Sequence, residues 1–360
     1  MSGTSSTKAV VTALAGNTFV TVIKLIAFAL SGSGAMLSEA IHSGADTGNQ
    51  LLLFIGLKRG EREPDDRFHY GYGGERFVFG MLSASGIFFV GCGITIYHGV
   101  ESLLAPHIPQ LSVVTFAVLA VAFVIEGGVL LYAVRAVHAE RGDTPFFRYV
   151  RERADPATVA ILLEDGAAVL GLVIAAGGIL LTYATGNPVW DAAGSIIVGA
   201  VLGVVAYYLV RENRELLLGR AVPEGTEDKF IAIVARQPSV RTVRDVKTHQ
   251  LTPEVFKLKA ELTLDNDYIA AQLGRLLAVH RAGATGDTGS LELRRLTTGS
   301  PELRRLAALA TNLIATEIDA IEAAVRVEIP EARHIDLEVA HPDELHPDEL
   351  ARAEPDQDPG

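Results

Sequence analysis

Six apolar stretches, each long enough to cross a lipid bilayer, dominate the first 210 residues of the chain. A helix of about 20 residues spans the roughly 30 Å of hydrocarbon in a membrane. A hydrophobic content of 49%, a charged content of 21% and a mean hydropathy of +0.29 are too apolar for an ordinary soluble domain. The chain is therefore predicted to be an α-helical membrane protein. The stretches lie at about 9–30, 35–57, 77–100, 112–137, 157–182 and 190–210.

The second and fifth stretches are the least apolar, because acidic residues and a histidine interrupt them. Hydropathy alone would rank these two lowest as membrane spans. Their glycine and alanine content nevertheless favours close packing between helices. We therefore expect six transmembrane helices.

The basic residues predict which side of the membrane each connection occupies. Positive charge concentrates in short cytoplasmic loops. The connections after the first, third and fifth stretches contain no Lys or Arg. An even number of spans then places both termini in the cytoplasm, and we expect the protein in the plasma membrane. The basic residues that follow the second and fourth stretches are Lys58, Arg59, Arg62, Arg67, Arg135, Arg141, Arg148, Arg151 and Arg153.

Beyond Pro223 the sequence predicts a small soluble domain. A helical stretch at about 224–237 leads into the β-rich runs VRDVKTHQL and EVFKLKAELTLD, which the turn signal TPE separates. A helical region interrupted by a Gly/Thr/Ser loop follows, and ARHIDLEVA reads as a last strand. This pattern predicts an α+β fold with one sheet and its helices on one face.

Four segments are expected along the chain. Residues 1–8 form an N-terminal cytoplasmic tail, 9–220 the transmembrane domain and 221–340 the cytoplasmic α+β domain. Residues 341–360 contain a tandem HPDEL and are acidic, Pro-rich and free of aromatics. We expect this last segment to be disordered.

The composition excludes several classes of function. A net charge of −12 and a pI near 5.3 disfavour a nucleic-acid partner, which requires clustered Lys and Arg. The single cysteine, Cys92, allows neither an internal disulfide nor a thiolate-built structural zinc site. The chain has no HExxH-like motif. We expect no enzyme activity and no prosthetic group.

The second stretch carries polar residues that are costly inside a membrane and therefore indicate a polar partner or a function. His42 and Asp46 are four residues apart and therefore share one helix face, which Asn49 and Leu53 continue. A carboxylate near the bilayer centre costs about 2.5–3.5 kcal/mol on insertion scales. Asp46 is therefore predicted to face a partner helix or a wet cavity.

The fifth stretch supplies candidate partners in Glu164 and Asp165. One imidazole with two or more carboxylates forms a divalent metal site, and the histidine favours zinc over the cations that prefer all-oxygen sites. Glu164 lies about 100° around the helix from Asp165, so it can be a fourth ligand only where the helix turns or loosens locally, and water is an equal candidate. Alternatively, Asp165 makes a structural contact with Lys24 or Asn49.

Several motifs in order resemble the cation diffusion facilitator family. They are the HxxxD of the second stretch, the acid of the fifth, FHYGYGGERF, GNPVWDAAGSIIVG and ARHIDLEV. Within that family, SEAIHSGADTGNQ, IYHGV and DPATVAILLEDGAAVLGL resemble the zinc transporter nine branch. The resemblance implies six spans, a βαββ-like cytoplasmic domain, a homodimer, and exchange of a divalent cation for protons by alternating access. Ile161 stands where many zinc-transporting members have a second histidine.

These observations together predict a zinc transporter with its metal site at His42, Asp46, Asp165 and Glu164. Metal would leave the cytoplasm in exchange for protons, and zinc would be the transported substrate. A manganese, iron or cobalt carrier of the same family is the alternative, followed by a membrane-embedded metalloenzyme. Glu126, in the fourth stretch, is a candidate proton carrier or an acceptor for His42.

Overall fold

The computed structural model describes residues 2–31, 34–105, 113–283 and 301–340, and these form two compact units. The first unit extends to Arg220 and includes Leu251–Glu254; the second contains Ala221–Gln250 and the chain from Val255 onward. The predicted tail at 341–360 lies outside the described residues.

Long helices build the first unit. α1 begins at Ser2, inside the segment expected to be a tail. α3 is continuous over 30 residues and is π-helical at its centre, Ile87–Ile94. The helices are α1 Ser2–Ser31, α2 Gly34–Gly60, α3 Glu75–Leu104, α4 Val113–Glu140, the short α5 Phe146–Glu152, α6 Pro156–Thr185 and α7 Val189–Leu217.

Within the described residues, five helices are long and apolar enough to cross a membrane: α1, α3, α4, α6 and α7. α2 has 27 residues, or about 40 Å, which is sufficient length, but its polar side chains lower its hydropathy. The predicted low rank of the second stretch is therefore confirmed. The low rank predicted for the fifth stretch is wrong, because apolar residues surround its two acids in α6.

Two adjacent residues, Asp155 and Pro156, favour the start of α6 at this point. Asp155 caps the helix, since its Oδ1 accepts a hydrogen bond from the backbone N of Ala157 at 2.9 Å, and Pro156 follows at the first helical position. The Asp155 Oδ2 accepts a second bond, at 2.9 Å, from Nη1 of Arg76 at the start of α3. Both side chains are nearly inaccessible, at 9% exposure for Arg76 and 2% for Asp155. This buried ion pair ties the beginnings of α3 and α6 together.

α3 and α7 approach each other closely where glycines remove side-chain bulk. A Cβ on Gly199 would lie 2.6 Å from Ile96 Cγ1 and 3.1 Å from the backbone N of Ile96. A Cβ on Gly99 would lie 3.1 Å from the backbone N of Ile196. Small residues at such crossings allow the close backbone packing that stabilises helix pairs in lipid.

Gly199→Ala is expected to lower the thermal transition of the detergent-solubilised protein, because α3 and α7 would have to separate. Overpacking of this kind costs about 1–3 kcal/mol. Gly177→Ala is the matched control, since a Cβ there meets nothing within 4 Å. Both changes gain the same helix propensity from alanine. Equal transitions for the two variants would show that this contact does not constrain the packing.

The second unit is an α+β domain with a three-stranded sheet, so the predicted fold class is confirmed. The sheet order is β1-β2-β3, and β2 pairs parallel to β3 with Leu258 opposite Ile335. Alternate β2 residues, Leu258 among them, are buried with Phe230 and Ile321 from the helices. The elements are α8 Thr226–Ala235, β1 Val240–Thr252, β2 Val255–Leu264, α9 Asn266–Gly283, α10 Pro301–Glu328 and β3 Ala332–Val339.

Candidate metal site in the membrane helices

A cavity of about 350 Å³ lies among the helices of the first unit, and six of them contribute to its wall. Its apolar lining includes Val90 and Ile94 from the π-helical part of α3. The wall also carries an unusual concentration of ionisable groups for the interior of a membrane domain. These are Lys24, Asp46, His98, Glu126, Glu164 and Asp165.

Asp46, Glu164 and Asp165 reach this one cavity from two helices. Asp46 comes from α2 and is half-buried, whereas Glu164 and Asp165 come from α6 and are 4% and 2% exposed. Each α6 acid lies within electrostatic range of Asp46. The acidic residues of the second and fifth apolar stretches therefore line one cavity.

Two amides of α2 hold Glu164 in place. Asn49 Nδ2 donates to Glu164 Oε1 at 3.2 Å, and Gln50 Nε2 donates to Oε2 at 2.8 Å. The sequence offered Asn49 as a partner of Asp165, but in the structure it bonds the neighbouring acid. Sequence reasoning gave Gln50 no role, although two consecutive amides in a membrane helix are a signal for an interhelical contact.

Asp165 has different surroundings from Glu164. Its Oδ2 is buried and has no hydrogen-bond partner within the described part of the chain. A buried carboxylate oxygen without a donor is costly, so it usually marks a site where another group binds. Lys24, the other proposed partner of Asp165, donates from Nζ to Ser43 Oγ at 2.7 Å.

The structure describes the side chains of three of the four predicted ligands, Asp46, Glu164 and Asp165. His42 lies in α2, but its side chain lies outside the described residues. Among the side chains that the structure describes, no three His, Cys, Asp or Glu groups are arranged to hold an ion. Both oxygens of Glu164 already accept hydrogen bonds. The ligand set of His42, Asp46, Asp165 and Glu164 therefore stays a prediction.

Ile161 does not line the cavity, although it lies one helical turn before Asp165. It is fully buried in an apolar cluster together with Leu53, Leu57 and Leu209. A histidine at this position would meet apolar side chains. The structure thus gives position 161 a packing role.

The cavity extends from the acids along α3, α6 and α7. It reaches Thr95 and His98 on α3, Ala175 on α6 and Ser195 on α7. Ala175 is ten residues beyond Asp165, or about 15 Å along the helix. This direction leads toward the helix ends at Leu104, Thr185 and Val189.

In the opposite direction along α2 and α6 lies the apolar cluster that contains Leu53, Leu57 and Ile161. That side holds the helix ends next to the basic connections, and we call it the basic face; it includes Gly60, Glu140 and Pro156.

Comparison with known families assigns the membrane unit. The family model described as the cation efflux transmembrane domain matches residues 10–218. The chain belongs to the cation efflux family. The resemblance inferred from the motifs is thereby confirmed, and membership indicates a transporter rather than an enzyme.

Relatives within the cation efflux family cover most of this chain. The mitochondrial proton-coupled zinc antiporter SLC30A9 of Homo sapiens is 35% identical over 337 residues, which are 92% of this chain and 58% of that protein. Metal tolerance protein C4 of Arabidopsis thaliana is 34% identical over 95% of this chain and 75% of its own length. The cation-efflux pump FieF of Shewanella oneidensis is 26% identical over 76% and 83%. The chain thus spans only about 58% of the length of its SLC30A9 relatives.

One expectation about this member of the cation efflux family is wrong. The protein was expected in the plasma membrane, but the SLC30A9 relatives that match 92% of the chain are named as mitochondrial proteins. The physical reason is that the charge of short loops orients helices relative to a bilayer. It carries no information about which membrane of the cell that bilayer is.

Proposed function

We propose that the chain transports a divalent cation, zinc, across a membrane in exchange for protons. The observation that carries the proposal is the convergence of Asp46, Glu164 and Asp165 on one intramembrane cavity, with Asp165 Oδ2 lacking a hydrogen-bond partner in the described residues. Divalent cations are bound by such groups of ionised oxygens. The names of the relatives, a proton-coupled zinc antiporter and a cation-efflux pump, support the same function.

The choice of zinc rests on His42, the one nitrogen donor in the proposed ligand set. Imidazole combined with carboxylates suits zinc, whereas an oxygen-only set suits manganese or magnesium. The described acids of the cavity are all oxygen donors, which favours manganese as the second candidate. Competition between the two metals for transport separates these candidates.

Protons and metal compete for the same groups, and this competition couples their movements. Metal binding requires ionised carboxylates and a neutral imidazole, so loading releases protons and protonation releases metal. The cavity extends from the acids along α3, α6 and α7, and the apolar cluster around Ile161 lies on the side of the basic face. Alternation between this state and one in which the cluster opens moves metal from the basic face to the opposite face.

Two further features belong to the proposal. Residues 9–220 carry transport, and residues 221–340 form a separate soluble domain. The functional unit is a homodimer, in line with the family resemblance. Light scattering of the detergent-solubilised protein, corrected for bound detergent, should give twice the mass of one chain; a single-chain mass would contradict the dimer.

Zinc uptake by liposomes containing the purified protein tests the exchange directly. With an acidic lumen and a zinc-sensitive dye inside, the initial rate should be at least about tenfold higher than without a pH gradient, because luminal protons discharge the arriving metal. A protonophore should remove the difference. Manganese supplied in tenfold excess should slow zinc uptake only weakly. Uptake that ignores the pH gradient would contradict antiport, and uptake abolished by manganese would favour the second candidate.

A further inference from the structure

Lys24 places a positive charge in the wall of the same cavity. It comes from α1 and is 3% exposed, although it lines the cavity together with Asp46 and Asp165. An ammonium group inside a membrane domain is costly unless nearby groups compensate it. Its Nζ donates to Ser43 Oγ at 2.7 Å, and this bond tethers the side chain to α2.

The charges around the cavity explain why the chain tolerates a buried lysine. Four carboxyl groups, those of Asp46, Glu126, Glu164 and Asp165, line the space that Lys24 shares. The ammonium of Lys24 repels any divalent cation that enters, because like charges interact strongly where water is scarce.

We propose that Lys24 is a tethered counter-cation that limits the metal affinity of the site and so promotes release of the metal. The inference rests on the proposed transport function. Lys24 is part of the cavity wall, so metal entry does not displace it from the protein. The bound metal is therefore held less tightly than the number of carboxylates alone would produce, and it leaves more readily.

Ser43 connects Lys24 of α1 to α2, one of the two helices that carry the acids of the site. Ser43 is buried in α2, three residues before Asp46, and its hydroxyl directs the ammonium of α1 toward the α2 surface. Lysine provides three donors on a flexible stem, so it can hold the serine hydroxyl and still face the carboxylates. α1 thereby influences the metal without contributing a ligand.

Lys24→Gln tests the inference in the full-length protein. Zinc affinity measured in detergent against a competing chelating dye should increase, with the Kd at least about tenfold lower, which corresponds to about 1.4 kcal/mol. The maximal transport rate in liposomes should fall, because release becomes slower. Lys24→Arg keeps the charge and should leave the Kd within about threefold of the wild type. A purely structural role for Lys24 predicts the opposite sign, since a damaged site binds metal more weakly.

Further variants keep the outcome interpretable. Lys24→Met removes the same charge on an unbranched side chain, and it serves if the glutamine variant does not fold. The double variant Lys24→Gln/Glu126→Gln removes one charge of each sign and should return the Kd toward the wild-type value. Unchanged or weaker zinc binding in both single neutral variants overturns the inference. Absence of zinc binding by the wild type would instead refute the proposed function.

Discussion

Asp165→Asn is expected to abolish zinc transport while the protein still folds and inserts. Asparagine has nearly the same shape as aspartate but lacks its negative charge, and neutral amides are poor ligands for zinc. Asp165 is 2% exposed and its Oδ2 has no hydrogen-bond partner among the described residues, so the local packing loses little. The initial rate of zinc uptake into liposomes should fall at least about a hundredfold, equivalent to about 2.7 kcal/mol of barrier.

The control for this experiment is Asp66→Asn, which makes the same chemical change in an exposed connection of the first unit. Its uptake rate should equal that of the wild type. Gel filtration and thermal transitions of both variants establish that they are folded. An Asp165→Asn protein that transports zinc at the wild-type rate would remove Asp165 from the site.

Arg76→Met is expected to cause the largest loss of stability. Removal of one partner from a buried ion pair costs about 3–5 kcal/mol, because the remaining charge is left without compensation. Here the remaining charges are those of Asp155, which keeps its bond from the Ala157 backbone N, and of Glu254, which lies 3.5 Å from Arg76 Nη1. The measurement is the free energy of unfolding in mild detergent, obtained from a denaturant titration.

The pH dependence of this loss has a defined sign. Burial raises the pKa of the Asp155 carboxyl, and the adjacent Arg76 opposes that rise. An acid whose pKa is higher in the folded state binds its proton more tightly when folded, so its contribution to stability decreases as pH rises above the ordinary value near 4. Loss of Arg76 raises that pKa further. The deficit of Arg76→Met should therefore be complete at neutral pH and shrink as pH falls toward about 4.

Two variants show whether the ion pair itself is responsible. Arg76→Met/Asp155→Asn removes both charges and should recover part of the lost stability, because a neutral amide can still cap α6. Arg211→Met breaks the Arg211–Glu215 pair on an exposed face of α7 and should cost much less, since water screens that pair. Equal losses for Arg76→Met and Arg211→Met would contradict the structural role of the buried pair.

Much of the architecture was available from local patterns. Apolar length predicted the membrane helices, and β-rich composition next to the turn signal TPE predicted β2, whose alternate side chains are buried. These signals are local because hydrogen bonding within a helix and side-chain alternation along a strand are set by neighbouring residues. The position of Asp46, Glu164 and Asp165 in apolar stretches likewise marked them as functional candidates. An acidic side chain inside a membrane is costly unless it has a partner or lies in a wet cavity.

The sequence alone thus determined which residues share a face of one helix, and only the tertiary structure decided which faces meet. Helical periodicity gives no depth or rotation of one helix relative to another. For that reason the sequence did not assign Asn49 and Gln50 to Glu164, bring Lys24 into the cavity or bury Ile161 in the apolar cluster. The extent of the cavity was also not predictable from the sequence, because it depends on how six helices pack together.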